Sequence, residues 1–380
     1  MTKLYLIRHA EAEGNLYRIA QGQYNSILTD LGQQQVRALE RRFADIHIDA
    51  VYASDLYRTC ATAAAIYIPK KLPLHRCRDL REICVGVWEQ KTWGEIARTD
   101  PEQMENFSHR LHLWHAEGAE TPAQVRDRVL HAVDKIAAEN DGRTVAVFSH
   151  GCAIRILLAT VQGYSLEELG KTPTGSNTAV SLLEWENGKL HVVYRDDASH
   201  LEDPRCTGGA VLKKHANALE PGLWFRPLSL PEDTEFFTGC VSGVWPESGA
   251  AEPFDPDHLL SGIAGRTTLV GCLPEGPVGV VQLDTDRDAA EKTGWITLLC
   301  LPRSVRQRGF GVQLLGQAVA HYRPLGRERL RVALEPEDRT GRDFCTRYGF
   351  TAAGQAPDGR EILEKHIGFH PEFLGSGNAE

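Results

Sequence analysis

Apolar residues in the first two hundred positions fall into short unbroken runs separated by stretches of helical spacing. Leu4-Tyr5-Leu6-Ile7 opens the chain, Ala50-Val51-Tyr52 is a second run, and Thr144 to Phe148 is a third. Runs of that length predict strands buried on both faces. Between them Val125, Val129, Ala132 and Ile136 recur at spacings of four, three and four, one face of a helix. Strands alternating with helices predict a three-layer α/β/α domain around a mostly parallel sheet. Leu182-Leu183-Glu184-Trp185 and Leu190 to Tyr194, joined by Glu186-Asn187-Gly188-Lys189, predict a hairpin at the sheet edge.

Periodicity then lapses over 203–222, where Pro204, Gly208, Gly209, Pro221 and Gly222 give a linker-like composition. The expected division is a first domain at 1–202, a linker at 203–222 and a second, mixed α/β domain at 223–380. The length of 380 residues suits two domains, each able to bury a core of its own. The formal net charge of -9 argues against a nucleic-acid-binding surface but leaves room for small anionic substrates. No stretch is long and apolar enough for a membrane span, and Met1-Thr2-Lys3 followed at once by Leu4 lacks the layout of a signal peptide, so a cytoplasmic location is expected. Nine scattered cysteines without a Cys-x-x-Cys pair read as reduced thiols, with neither a disulfide framework nor a metal site.

Candidate chemistry sits at strand ends. Arg8-His9-Ala10-Glu11 follows the first run and Ser149-His150-Gly151 follows the third. In a parallel sheet the carboxyl ends of strands open onto the ligand crevice, so both histidines are delivered to one edge. Ser54-Asp55-Leu56-Tyr57-Arg58 adds a second arginine there. Taken singly, each arginine reads as a surface ion-pair residue. Placed together with two histidines, Arg8 and Arg58 suit bidentate neutralisation of phosphoryl oxygens.

These residues resemble the histidine phosphatase superfamily, in the branch that includes cofactor-dependent phosphoglycerate mutases and alpha-ribazole phosphatase. The match runs through Leu6 to Asn15, Leu28 to Gly32, Ser54 to Ala63, Leu80-Arg81-Glu82, Gly86 to Glu89, Ser149 to Arg155 and Asp197 to Leu201. The resemblance implies that His9 is the phosphorylated nucleophile and that Arg8, Arg58 and His150 clamp the phosphate. It further implies that Asn15 and Gln21 line the pocket beside Gly151 and that Glu82 is the proton donor. Ala10 and Cys152 stand where the family more often has glycine, but neither change removes a charged group. Only 67 residues separate Glu82 from His150, and the segment lacks the mutase signature around Gly86 to Trp93, which favours hydrolysis over phosphoglycerate mutase action.

In the second half, the apolar run Trp295 to Leu301 leads to Arg306-Gln307-Arg308-Gly309-Phe310-Gly311. A helix follows with Val312, Leu315, Val319 and Tyr322 along one face. A glycine-containing turn entering a helix presents backbone amides suited to a pyrophosphate. Together with Trp224 to Leu228, Val278 to Leu283 and Phe344 to Phe350, this half resembles the GNAT acetyltransferase family. That resemblance implies a mostly antiparallel sheet splayed around acetyl-CoA, with Gln307 to Gly311 on the pyrophosphate and a small amine as acceptor. Many members have a tyrosine where this chain has Cys345, and Asp338 stands where an asparagine is common. Cys345 is either the acid that protonates the departing thiolate or a buried small residue. The expected whole is a bifunctional phosphatase and N-acetyltransferase acting on small molecules. The alternatives are a phosphatase carrying a non-catalytic acyl-CoA-binding or docking domain, or a phosphoglycerate mutase.

Overall fold

The computed structural model describes residues 1–210, 212, 222–242 and 262–374. Half of the segment expected as a linker therefore lies outside the described residues, as do the last positions of the second domain. Six strands build the first sheet: β1 (Thr2–Arg8), β2 (Ala50–Ala53), β3 (Leu74–Arg76), β4 (Thr144–Ser149), β5 (Val180–Glu186) and β6 (Lys189–Asp197). Their order is β3-β2-β4-β1-β5-β6. The first four run parallel, and β5 and β6 add the antiparallel hairpin at one edge. Its two-residue turn places Asn187 at φ 52° and Gly188 at φ 76°, the left-handed pair that the twist of a tight hairpin requires. Strand β3 carries no apolar run; Leu74 is half-buried and His75 and Arg76 are exposed, so its sequence gave no signal.

Alternation along β1 assigns its two faces. Leu4 and Leu6 pack with Val125, Val129, Val133 and Ile136 of the helix Pro122–Glu139 and with Ile154 and Leu157 of the helix Gly151–Val161. On the other face Ile7 meets Leu39 and Phe43 from the helix Asp30–Arg42 and Ala63 and Ile66 from the helix Tyr57–Tyr67. Helices on both faces of a mostly parallel sheet complete the expected three layers.

The second sheet holds β7 (Trp224–Pro227), β8 (Thr267–Leu273), β9 (Gly276–Asp284), β10 (Thr293–Cys300), β11 (Arg329–Leu334), β12 (Thr351–Gln355) and β13 (Glu361–His366). The order is β12-β13-β11-β10-β9-β8-β7, and only β10 and β11 are parallel. These two pair from Thr293 opposite Arg329 to Ile296 opposite Val332 and no further. The register of β10 on β9 shifts between Ile296 and Leu298, a bulge that bends the strand away. The sheet thus splays open at its middle, and the helix Phe310–Tyr322 crosses beside it, burying Val312, Leu315, Val319 and Tyr322.

Each domain buries clusters of its own, but one large cluster is shared between them. Tyr17 and Ile19 of the first domain belong to the second domain's core, among Val312, Leu315, Ala318 and Val319. Glu13 forms an ion pair with Arg323 at 2.7 Å, the Arg98 guanidinium lies 4.5 Å from the Trp224 ring centre, and Tyr57 packs on Phe369 and Phe373. Such contacts join residues more than a hundred positions apart, and no periodicity along the chain could announce them.

Candidate active site

The register of the first sheet assembles the site. Arg8 at the end of β1 lies opposite Ser149 at the end of β4, so the next residue of each strand, His9 and His150, emerges side by side. The His9 amide donates to the Ser149 carbonyl at 3.0 Å, and the two imidazole rings are 5.2 Å apart. On the other flank of β4, β2 ends at Ala53 opposite Phe148, which sets Ser54 next to His150. Ser54 Oγ is 2.8 Å from His150 Nε2. Arg58, one residue into the helix Tyr57–Tyr67, is fully buried and donates to the carbonyls of Gly22 at 2.8 Å and Tyr24 at 3.0 Å.

Protonation follows from these partners. His9 Nδ1 is 2.7 Å from the Ala10 carbonyl oxygen, which can only accept, so the neutral ring carries its proton on Nδ1 and leaves Nε2 with a free lone pair. Burial, then the positive charges of Arg58 and Arg8, hold His9 well below the ordinary histidine range. His150 is depressed in the same direction by burial, Arg58 and His9. In the tautomer in which the Ser54 hydroxyl donates to Nε2, the neutral His150 ring presents Nδ1–H. Burial brings Arg58 down to about 10, still cationic at neutral pH.

Three buried donors here have no partner among the described residues: Arg8 Nε, Arg58 Nε and His150 Nδ1. A buried N–H without an acceptor is costly, and three of them beside one nucleophilic nitrogen suit an oxyanion such as phosphate. Arg8 is steadied by the Gly175 carbonyl at 2.5 Å. Gly151 lets it come close, since a Cβ there would lie 3.1 Å from the guanidinium carbon.

Glu82 also reaches the site. Its carboxylate accepts, each at 3.0 Å, from its neighbour's amide at Ile83 and from the amides of Cys152 and Ala153 at the start of the helix that follows His150. Arg128 fixes the Glu82 backbone by donating to its carbonyl at 2.9 Å and to that of Arg81 at 2.7 Å. Asn15 Oδ1 accepts from the Ala12 amide at 3.1 Å, and Gln21 Oε1 accepts from Ser26 Oγ at 2.8 Å while its side chain fills the space beside Gly14. Both bonds are made within the stretch 12–26.

Several supporting residues had no role in the sequence reading. Glu89 accepts from the amides of Gly22, Gln23 and Tyr24 and so orders the segment that grips Arg58. Thr178, at φ 59°, donates its amide to the Arg8 carbonyl, and its hydroxyl is 3.0 Å from His200 Nε2. Glu89 and His200 lie within matched motifs, a signal that was available; Arg128 and Thr178 gave none.

In the second domain a cleft of about 710 Å³ opens where β10 and β11 part, lined by Leu298 to Leu301, Val332 to Glu335 and the start of the helix Phe310–Tyr322. Arg306, Gln307, Gly309 and Gly311 face it. Gln307 at φ 62° and Gly309 at φ 79° turn the chain into the helix, and Gly309, at its N-cap, has no side chain to cap the first turn. Arg308 lies over the Phe310 ring at 4.9 Å. Cys345 and Tyr348 both border the cleft. Burial, then Asp338, pushes the Cys345 thiol up to about 12, which makes it a poor acid and favours its reading as a packing residue. Asp338 caps the helix Arg339–Arg347 by accepting from the Gly341 amide at 2.8 Å. Among the described residues, no group of three or more His, Cys, Asp and Glu is arranged to hold a metal ion. None of their helices is long and apolar enough to cross a membrane.

With two histidines and two arginines at the carboxyl edge of a parallel sheet, the chain belongs to the histidine phosphatase superfamily (branch 1), whose model matches residues 4–198. The same chain carries an acetyltransferase (GNAT) family domain, matched over residues 234–350, so two enzyme families are joined in one polypeptide. Similar proteins cover the first half. Phosphoserine phosphatase 1 of Hydrogenobacter thermophilus is 27% identical over 201 residues, spanning 53% of this chain and 95% of its own. The metal-independent phosphoserine phosphatase of Arabidopsis thaliana is 31% identical over 208 residues, 53% of this chain and 84% of its own. The solved structure of Bacillus stearothermophilus YhfR is 34% identical with a TM-score of 0.51, covering 53% of this chain and 99% of its own.

Proposed function

We propose that this chain is a bifunctional enzyme that hydrolyses a small phosphate monoester through a phosphohistidine and transfers an acetyl group from acetyl-CoA to a small amine. The observation that carries the first activity is that Arg8 Nε, Arg58 Nε and His150 Nδ1, on residues that surround His9, are buried and without partners among the described residues, while His9 Nδ1 is tied to a carbonyl. In this reading His9 Nε2 attacks phosphorus and the ester's P–O bond breaks. Glu82, protonated, gives its proton to the departing alkoxide. It then takes a proton from water, whose oxygen attacks the phosphohistidine, and phosphate leaves with His9 neutral again. Arg8, Arg58 and His150 hold the phosphoryl oxygens throughout, and Asn15, Gln21 and Gly151 bound the pocket.

For the second activity, the fit of acetyl-CoA rests on the splayed strands and the open turn at Gln307 to Gly311. Backbone amides from Gln307 to Gly311 would meet the pyrophosphate, with Arg306 and Arg308 adding charge. When bound, the cofactor supplies a thioester-activated acetyl group. Cys345 serves packing in this reading. The domains divide as 1–202 and 223–380 about the segment 203–222, and the location is cytoplasmic.

The similar proteins named phosphoserine phosphatase favour an ester that also bears an amine. The deciding experiment is a panel of phosphate esters with and without amino groups, assayed for phosphate release and for acetyl-CoA consumption. Phosphate should appear from several esters without added bisphosphoglycerate. The mutase alternative draws on a 30% identity over 215 residues to a probable phosphoglycerate mutase GpmB of Proteus mirabilis. Interconversion of phosphoglycerates with little phosphate release would establish it instead.

A further inference from the structure

Residues 12–24, whose carbonyls at Gly22 and Tyr24 hold Arg58, form a wall whose back is built by the other domain. Glu13 and Tyr17 lie one helical turn apart on the helix Glu13–Tyr17 and so share a face, while Asn15 between them points elsewhere. That shared face is clamped by the helix Phe310–Tyr322 and its end. The buried Glu13 carboxylate takes two bonds from Arg323, at 2.7 and 3.0 Å. Arg323 is fixed in turn by the Ile367 carbonyl at 2.9 Å and by the Phe369 ring. Tyr17 lies on Gly316 so closely that a Cβ there would sit 2.6 Å from Tyr17 Cβ and Cγ. Leu16 and Tyr24 flank the same contact.

The clamped segment is the one that fixes the phosphate grip. Its carbonyls at Gly22 and Tyr24 hold Arg58, and its side chains include Asn15 and Gln21. We propose that Arg323 and Gly316 of the acetyltransferase domain are positioning residues for the phosphatase reaction: they hold the wall at 13–24 and, through it, the Arg58 guanidinium. The phosphatase site is thus completed by the helix that also opens the acetyl-CoA cleft. This inference rests on the phosphatase reading given above.

The test uses the full chain, with p-nitrophenyl phosphate and phosphoserine as substrates and orthovanadate as a phosphate-like inhibitor. Phosphate release by the wild type is measured first; its absence would remove the phosphatase reading and this inference with it. Given turnover, Arg323→Met should lower kcat/KM by on the order of ten- to hundred-fold, mainly through KM, since displacing a positioning group by about an ångström has effects of that size. The vanadate inhibition constant should rise in parallel, a change that general loss of stability does not produce at temperatures well below melting. Arg323→Lys should recover part of the loss, and Glu13→Gln combined with Arg323→Met should be no worse than Arg323→Met alone. Should Arg323→Met fail to fold, Gly316→Ala carries the test, because its single methyl pushes directly on Tyr17 and should raise KM and the vanadate constant together. A folded Arg323→Met or Gly316→Ala with wild-type KM and wild-type vanadate inhibition would overturn the proposal while leaving the phosphatase reading intact.

Discussion

Ser54 Oγ lies 2.8 Å from His150 Nε2, which holds that ring while its Nδ1 stays buried with no partner among the described residues. Removing the hydroxyl leaves the tautomer and the ring angle unset. Ser54→Ala should lower kcat/KM for phosphate release by about ten-fold or more, the scale of one lost hydrogen bond of about 1–3 kcal/mol in a buried site. Steady-state kinetics on the folded variant check this.

In the proposed mechanism every turnover passes through His9. His9→Ala should abolish phosphate release and also the acid-labile, base-stable phosphoryl group trapped by quenching without acid during turnover. Full activity in His9→Ala would remove the phosphohistidine from the mechanism.

Acid should destabilise the fold, and the sign follows from three buried histidines. His9 and His150 are held well below the ordinary range and His200 is brought down to about 4, chiefly by burial and then Arg42. Below about pH 6.5 the unfolded chain binds more protons than the folded one, so stability present above that pH is lost as pH falls towards 4. His200 alone is worth on the order of 3 kcal/mol over that window. Urea midpoints should therefore drop from pH 7 to pH 5, and His200→Asn should flatten the drop; an unchanged slope would show that His200 protonates freely in the folded chain.

Cofactor binding can be read by melting. CoA should raise the melting temperature of the full chain, because a ligand that binds only the folded state stabilises it. Gly309→Asp puts a charged side chain at a φ of 79°, and Gly311→Asp drives one into the Phe344 ring, 2.9 Å from the Cβ position. Each should remove the CoA-induced shift. The full chain is needed because an isolated second domain would expose the surface that Tyr17 and Ile19 cover.

Cys345 should prove dispensable for transfer. With its thiol pushed up to about 12, Cys345→Ala should leave acetylation near normal and cost on the order of 1 kcal/mol of stability. A large fall in acetylation with CoA binding intact would restore it as the acid.

The chain itself announced the three-layer first domain, both histidines, both arginines and the glycine turn before the helix at Phe310, because these are local: a short apolar run, then the residue that leaves it. Helical spacing likewise marked Val125 to Ile136 and Val312 to Tyr322 correctly as buried faces. What the tertiary structure decided was adjacency. Only the placement of β4 between β1 and β2 sets His150 against both His9 and Ser54, and strand order leaves no periodic trace along a sequence. The half-exposed β3 and the fully exposed β12 had no apolar pattern to betray them. The same holds between domains: Glu13 and Arg323 are 310 positions apart, and Gly316 reads as an ordinary small residue until Tyr17 is laid upon it. Local patterning states which faces must be buried, but which surface buries them is settled by packing across the whole molecule.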